Sequence, residues 1–336
     1  MAAFRTLDDL DVRGKRVLLR ADLNVPMKDG KVTDATRLDR LAPTIDELAE
    51  KGARVVVLSH FGRPKGKPSP QFSLAPLVAP LSSALGGRKV LFARDSAGPE
   101  AKAAVAKLRD GEIALLENLR FDPGEEANDL AFAKKLAALG DIYIDDAFSC
   151  AHRAHASVEA LARLLPAAAG RLMAAELDAL GRALDRPARP LAALVGGAKV
   201  STKLALLDNL VRKVDALIIG GGMANTFLAA KGIEVGKSLC ERDLAETARG
   251  ILDAAASRKT AILLPSDAVV AAKFEAGTPS RVVEIGNVPQ DGMILDLGPK
   301  TAETLAKLLE SCRTLVWNGP LGAFEIPPFD AATNRV

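Results

Sequence analysis

Short apolar runs rich in β-branched residues recur through the first half of the chain, and each gives way abruptly to polar residues. Val17-Leu18-Leu19 leads into Arg20-Ala21-Asp22-Leu23-Asn24, and Val55-Val56-Val57-Leu58 into Ser59-His60-Phe61-Gly62-Arg63. Ile113-Ala114-Leu115-Leu116 leads into Glu117-Asn118-Leu119-Arg120, and Ile142-Tyr143-Ile144 into Asp145-Asp146-Ala147-Phe148. Runs of this kind, bounded by turn signals, read as strands of a parallel sheet buried on both faces. Between them the apolar spacing changes to three and four over Leu38–Lys51 and Asp129–Leu139, predicting helices stopped by Gly52 and Gly140. The second half repeats the alternation, with strands near Pro190–Val195, Ala216–Ile219, Ala261–Leu264, Met293–Asp296 and Thr314–Trp317. From Arg171 to Leu180, apolar positions 172, 173, 177 and 180 share one helical face before the proline-bearing stretch Asp185-Arg186-Pro187-Ala188-Arg189-Pro190. The pattern predicts two doubly wound parallel-sheet α/β domains, residues 1–168 and 188–336, joined by a linker helix across 169–187, with a cleft between them.

In an open parallel sheet, ligands bind beyond the carboxyl ends of the strands. Arg20, Arg63, Arg120 and Arg153 all follow such ends, which predicts one cationic cleft. Guanidinium forks match phosphate and carboxylate, so the expected ligand is a small polyanion. The chain's three histidines, His60, His152 and His155, lie in the same loops.

Composition narrows the field. The 336 residues are 49% hydrophobic and 26% charged, which is ordinary globular composition. A net charge of +3 with 4% aromatic residues offers few stacking platforms for nucleic acid. Three scattered cysteines, Cys150, Cys240 and Cys312, form neither a disulfide framework nor a CxxC zinc motif. The N-terminus lacks a signal-peptide apolar stretch, and no window approaches the roughly 18 apolar residues of a membrane span. A cytoplasmic protein is expected.

The second half's strand ends are rich in glycine instead of arginine. They read Gly196-Gly197-Ala198-Lys199-Val200, Gly220-Gly221-Gly222-Met223, Leu297-Gly298-Pro299-Lys300 and Asn318-Gly319-Pro320-Leu321-Gly322. Glycines there let backbone approach a ligand and aim N–H groups at phosphates. Neither standard nucleotide fingerprint is met. Gly232-Ile233-Glu234-Val235-Gly236-Lys237-Ser238 is one residue short of a P-loop, and Asn225 stands where a dinucleotide motif needs its last glycine. Lys199 and Lys203, four apart at an expected helix start, should face one side and hold phosphates as point charges.

Together these segments resemble the phosphoglycerate kinase family. The resemblance rests on Arg20-Ala21-Asp22-Leu23-Asn24-Val25-Pro26, Ser59-His60-Phe61-Gly62-Arg63-Pro64, Glu117-Asn118-Leu119-Arg120-Phe121, Asp146-Ala147-Phe148 and Ala151-His152-Arg153-Ala154-His155-Ala156-Ser157 on one side. On the other it rests on Gly196–Val200, Gly220–Ala224 and Val316-Trp317-Asn318-Gly319-Pro320-Leu321-Gly322-Ala323-Phe324-Glu325. It implies two Rossmann-like domains and a glycolytic phosphotransferase acting on a carboxyl group. Such an enzyme moves a phosphoryl group reversibly from 1,3-bisphosphoglycerate to Mg-ADP, giving 3-phosphoglycerate and Mg-ATP. It further implies a cytoplasmic monomer with small-molecule substrates and no nucleic-acid or membrane partner.

Carried over position by position, the resemblance implies phosphoglycerate contacts from Arg20, Asp22, Leu23, Asn24, Arg37, His60, Phe61, Gly62, Arg63, Arg120, His152, Arg153 and His155. Nucleotide contacts are implied from Gly197, Ala198, Lys199, Lys203, Gly221, Gly222, Leu295, Asn318, Pro320 and Glu325, the last taking the ribose hydroxyls. Arg37 and Lys199 are the implied catalytic residues, stabilising charge on the moving phosphoryl group.

Some positions depart from the family pattern. Asp145 replaces the usual asparagine, and Ser149-Cys150 replace a Gly/Ala-like pair. The resemblance also implies a segment beyond Val336 with a Gly-Gly-Asp-Thr motif, whose aspartate would ligate the nucleotide's Mg²⁺. No metal ligand is therefore assigned within residues 1–336. A catalytically silent fragment that binds phosphoglycerate stands as the alternative to the kinase.

Overall fold

The structure is a computed structural model that describes residues 4–336. The chain forms two compact units, one ending at Ala179 and the other beginning at Leu180. The division falls inside a helix, Arg171–Leu184, in the region of the expected linker.

The first unit is built on a six-stranded parallel sheet. Its strands are β1 (Arg16–Arg20), β2 (Arg54–Leu58), β3 (Val90–Ala93), β4 (Ile113–Leu116), β5 (Ile142–Asp145) and β6 (Ala167–Ala169), in the order β3-β4-β2-β1-β5-β6. Successive side chains point to opposite faces, which explains why the runs are apolar throughout. Val17, Leu19, Val55 and Val57 pack with Leu38, Leu41, Ile45 and Leu48 of the helix Thr36–Glu50. Leu18, Val56 and Leu58 pack with Phe132, Ala133 and Leu136 of the helix Leu130–Ala137. Each Val, Leu, Ile or Phe side chain among them contributes about 1.5–3 kcal/mol on burial. The second of these helices starts where Asp129 accepts the Phe132 N–H at 2.7 Å. After the first, Gly52 turns the chain at φ +79°. Strands β3 and β6 escaped the pattern because Val90-Leu91-Phe92-Ala93 is short and Ala167-Ala168-Ala169 has no branched residue.

The second unit holds a four-stranded parallel sheet of β7 (Leu191–Val195), β8 (Ala216–Ile219), β9 (Ala261–Leu263) and β13 (Thr314–Asn318), in the order β9-β8-β7-β13. A separate antiparallel sheet, β11-β10-β12, is formed by β10 (Asp267–Ala271), β11 (Ser280–Glu284) and β12 (Met293–Leu297). The expected strand at Met293–Asp296 exists, but it belongs to this antiparallel sheet and not to the parallel one. A hairpin connection from β10 to β11 and a return through β12 dictate that direction.

The start of the helix Arg171–Leu184 is tied to the first unit. Asp146 accepts the Met173 N–H at 2.9 Å, and Arg171 bridges Asp8 and Glu47, both at 2.6 Å. Arg171, helped by Lys51 and against the opposing effect of burial, lowers the Glu47 carboxyl to about 2. Among the described residues no helix is long and apolar enough to cross a membrane.

Candidate active site

In the first unit the chain leaves β1 toward β2 on one side, while β5 and β6 lie on the other. The loops beyond the carboxyl ends at this switch point enclose a cavity of about 240 Å³. Asp22 and Asn24 come from the loop after β1; His60, Gly62 and Arg63 follow β2. Arg120 follows β4, Ser149, Cys150 and Arg153 follow β5, and Arg37 reaches in from the helix Thr36–Glu50. Four arginines face one small space.

The walls are held by local bonds. Arg37 donates to the Asp22 carboxylate at 2.7 Å and to the Asn24 carbonyl at 3.1 Å. Burial alone would raise the Asp22 pKa. The Ser149 hydroxyl at 2.5 Å, the Asn24 N–H, His60 and Arg37 outweigh burial and lower it. Asn24 accepts the Gly62 N–H at 2.9 Å, and Arg120 donates to the Gly62 carbonyl at 2.8 Å while its Nε lies 3.2 Å from Glu126. Asn118, itself fully buried, donates to the Phe61 and Phe72 carbonyls and accepts the Phe61 and Arg120 N–H groups. These bonds lock the loops after β2 and β4 together. His60 is pushed down to about 3 by burial and by Arg20 and Arg120, so it is neutral near pH 7.

Five residues expected to bind substrate do not line this cavity. Arg20 is 1% exposed and donates to Ser157 and to the Ala21 carbonyl, with His60 Nδ1 at 3.2 Å. It supports the site from below because its strand position points it into the interior. Leu23 is buried in the core, and Phe61 packs against that core. His152 is exposed and accepts a bond from Arg153 at 3.1 Å, while His155 turns toward Glu125 at 3.8 Å. Ser149 and Cys150 line the cavity without having been expected to; their place just after β5 was the available signal. A larger hollow of about 810 Å³ in the same unit is walled by Pro68, Pro70, Pro76 and Phe121. It holds none of the four arginines, and its buried Glu117 is already satisfied by Ser73, Leu74 and Asn118.

The second unit presents a cavity of about 510 Å³ with different walls. Of the residues expected to contact nucleotide, Gly197, Ala198, Gly221, Gly222, Leu295, Pro320 and Glu325 line it. Leu239, Phe274 and Phe324, all half-exposed, add apolar faces that motif reading did not find. Gly221 sits at φ +63°, and a Cβ there would lie 2.7 Å from the Gly197 carbonyl oxygen. Glycine is what lets the loops after β7 and β8 pack this closely.

Lys199, Lys203 and Asn318 lie outside the cavity lining. Lys203 Nζ is turned onto the Gly196 carbonyl and the Asn318 side-chain oxygen, both at 2.6 Å. The two lysines are not one helical turn apart on a single face, because the helix starts only at Leu204. Ser201 bonds instead to Glu241 and Thr202 to the Lys199 carbonyl, and such side-chain bonds compete with helix formation. Asp296, at the cavity wall, accepts the Leu297 and Ala332 N–H groups, both at 2.9 Å. Among the described residues no group of three or more His, Cys, Asp or Glu converges as metal ligands.

A family model described as phosphoglycerate kinase matches residues 7–336. The chain belongs to the phosphoglycerate kinase family. Phosphoglycerate kinase from Chelativorans sp. (strain BNC1) is 62% identical, with all of this chain and 84% of that protein aligned. The enzyme from Rhizobium leguminosarum bv. trifolii (strain WSM2304) is also 62% identical, over 99% of this chain and 83% of its own length. Among solved structures, phosphoglycerate kinase from Coxiella burnetii superposes with a TM-score of 0.86 at 44% identity, covering 99% of this chain and 84% of that one. The enzyme from Pyrococcus horikoshii OT3 gives 0.83 at 34% identity, with the same coverage. The activity is that of a phosphotransferase acting on phosphoglycerate, and a binding-only module is not favoured.

Proposed function

We propose that the arginine-lined cavity of the first unit is the phosphoglycerate site and the cavity of the second unit the nucleotide site. Phosphoryl transfer from 1,3-bisphosphoglycerate to ADP then draws one substrate from each. The convergence of Arg37, Arg63, Arg120 and Arg153 on about 240 Å³ carries this reading. That space suits a small molecule bearing phosphate and carboxylate, and rigid guanidinium forks can bind both groups bidentately. Neutral His60, Asn24 and the loop backbone add donors without further charge. On the nucleotide side, close-packed glycine backbone and apolar walls suit a planar base, with Glu325 at the ribose. Mg²⁺ enters as part of the substrate, Mg-ADP, and neutralises phosphate charge there.

Arg37 and Lys199 are proposed to stabilise charge on the phosphoryl group in flight. Phosphoryl transfer demands positioning and charge neutralisation more than covalent chemistry, which fits a site of arginines with no activated nucleophile. The protein is proposed to work as a cytoplasmic monomer with no nucleic-acid or membrane partner.

A coupled assay of ATP formation from 1,3-bisphosphoglycerate tests the division of labour. Arg153→Ala should raise KM for the phosphoglycerate alone, and Leu239→Trp, which fills the other cavity, should raise KM for ADP alone. Equal effects of either variant on both substrates would contradict it.

A further inference from the structure

Beneath the arginine-lined cavity lies a buried chain of polar groups that the reaction does not use directly. Glu125 is completely buried, and its two carboxylate oxygens take two donors from one residue: the Ser157 N–H at 3.0 Å and the Ser157 hydroxyl at 2.6 Å. Because that hydroxyl gives its proton to Glu125, its oxygen is free to accept Arg20 Nε–H, which it does at 2.8 Å. Arg20 has no acceptor atom and cannot lose its charge, so its contact with His60 Nδ1 at 3.2 Å has one direction only. The ring nitrogen must accept. With Nδ1 accepting from Arg20, Cys150 Sγ, 3.9 Å from the same nitrogen, can point its S–H there as a second, weak donor. The ring proton therefore sits on Nε2.

We propose that Glu125 is a positioning residue: through Ser157 and Arg20 it holds His60 in the neutral Nε2–H tautomer, giving the cavity a fixed hydrogen-bond donor. A carboxylate is required at the far end of the chain. An amide at position 125 would set its NH₂ against either the Ser157 N–H or the Ser157 hydroxyl, so one of those two donors would be lost. Glu125 also balances the charge of Arg20, which is buried beside it. With the carboxylate gone, the Ser157 hydroxyl is no longer oriented to accept from Arg20 Nε, the guanidinium keeps only the Ala21 carbonyl, and its contact with His60 Nδ1 is no longer held in place. His155, 3.8 Å from Glu125, is too distant to take over that hydrogen bond.

The inference rests on His60 belonging to the phosphoglycerate site, and the test separates the two claims. Imidazole ¹⁵N NMR on the whole protein has three histidines to resolve, and a His60→Asn variant assigns the His60 signals. The unmodified protein should show His60 as the Nε2–H form throughout pH 5.5–8. Glu125→Gln should give a mixed tautomer and about tenfold weaker binding of 3-phosphoglycerate, with ADP affinity within twofold of normal. Ser157→Ala, which cuts the same chain while keeping the carboxylate, should do likewise and serves if Glu125→Gln fails to fold. A His60 tautomer unchanged in the folded variants would overturn the proposal. A changed tautomer with unchanged 3-phosphoglycerate affinity would uphold the relay and contradict the assignment of the cavity.

Discussion

Replacing Arg37 with alanine should depress turnover far more than it weakens either the fold or substrate binding. The side chain is 48% exposed and its ion pair with Asp22, at 2.7 Å, is partly solvated. Such pairs are worth about 0–1 kcal/mol, and Asp22 keeps the Ser149 hydroxyl and the Asn24 N–H, so the folded state should barely notice. In the transition state the balance differs. A cation about 4 Å from developing charge, at an effective dielectric near 20, is worth about 4 kcal/mol. Discounting for the exposed half of the side chain leaves about 3 kcal/mol, on the order of a hundredfold in rate. The assay is steady-state ATP formation at saturating substrates, with urea denaturation as the control for stability. Since a loss confined to the transition state lowers kcat with little change in KM, the two constants report different roles. A variant that keeps kcat within threefold of wild type would refute the role assigned to Arg37.

Lys199→Ala should show the same fall in kcat with unchanged stability, since the exposed Lys199 ammonium makes no hydrogen bond or ion pair with the described residues; normal turnover would remove it from the chemistry. Asp296 is raised to about 6, mainly by burial, above its ordinary 3.8. Its contribution to stability is therefore complete below about pH 4 and lost as pH rises through 6. The difference in urea midpoint between wild type and Asp296→Asn should fall across that window, on the order of 3 kcal/mol; a flat difference would contradict it. Glu47, lowered to about 2, carries the opposite sign: its stabilisation is present above about pH 4.5 and lost as acid approaches pH 2. Arg171→Ala should flatten that acid limb and cost about 1 kcal/mol, read by thermal unfolding against pH. Gly221→Ala should cost at least about 2 kcal/mol in unfolding free energy, because φ is +63° and the new Cβ meets the Gly197 backbone.

Much of this was legible in the sequence, and the failures are instructive. Continuous apolar runs located the central strands because β1, β2, β4, β7 and β8 are buried on both faces. The basic residues just after those runs located the cavity because chain direction alone brings the strand ends together. What stayed hidden was side-chain direction. Arg20 and Arg63 look equivalent in sequence, yet one ends a strand pointing inward and the other stands on a loop rim. Lys199 and Lys203 looked like helical neighbours, but Ser201 and Thr202 prefer their own hydrogen bonds to an early helix start. The antiparallel sheet was missed because β11 is largely exposed and carries no continuous apolar signal. Leu239, Phe274 and Phe324 belong to no motif and meet only through the tertiary fold. Glu125 showed no sign at all of its link to His60, which runs through two further residues.

Calorimetric titration of 3-phosphoglycerate into the protein, beside an Arg63→Ala/Arg153→Ala variant, tests the central claim most directly. One molecule should bind at low salt, more weakly as salt rises past about 0.1 M, where charges are screened beyond about 10 Å. The double variant should lose at least tenfold in affinity while its titration with ATP stays unchanged. Equal 3-phosphoglycerate affinity in the two proteins would mean that the arginine-lined cavity is not the substrate site.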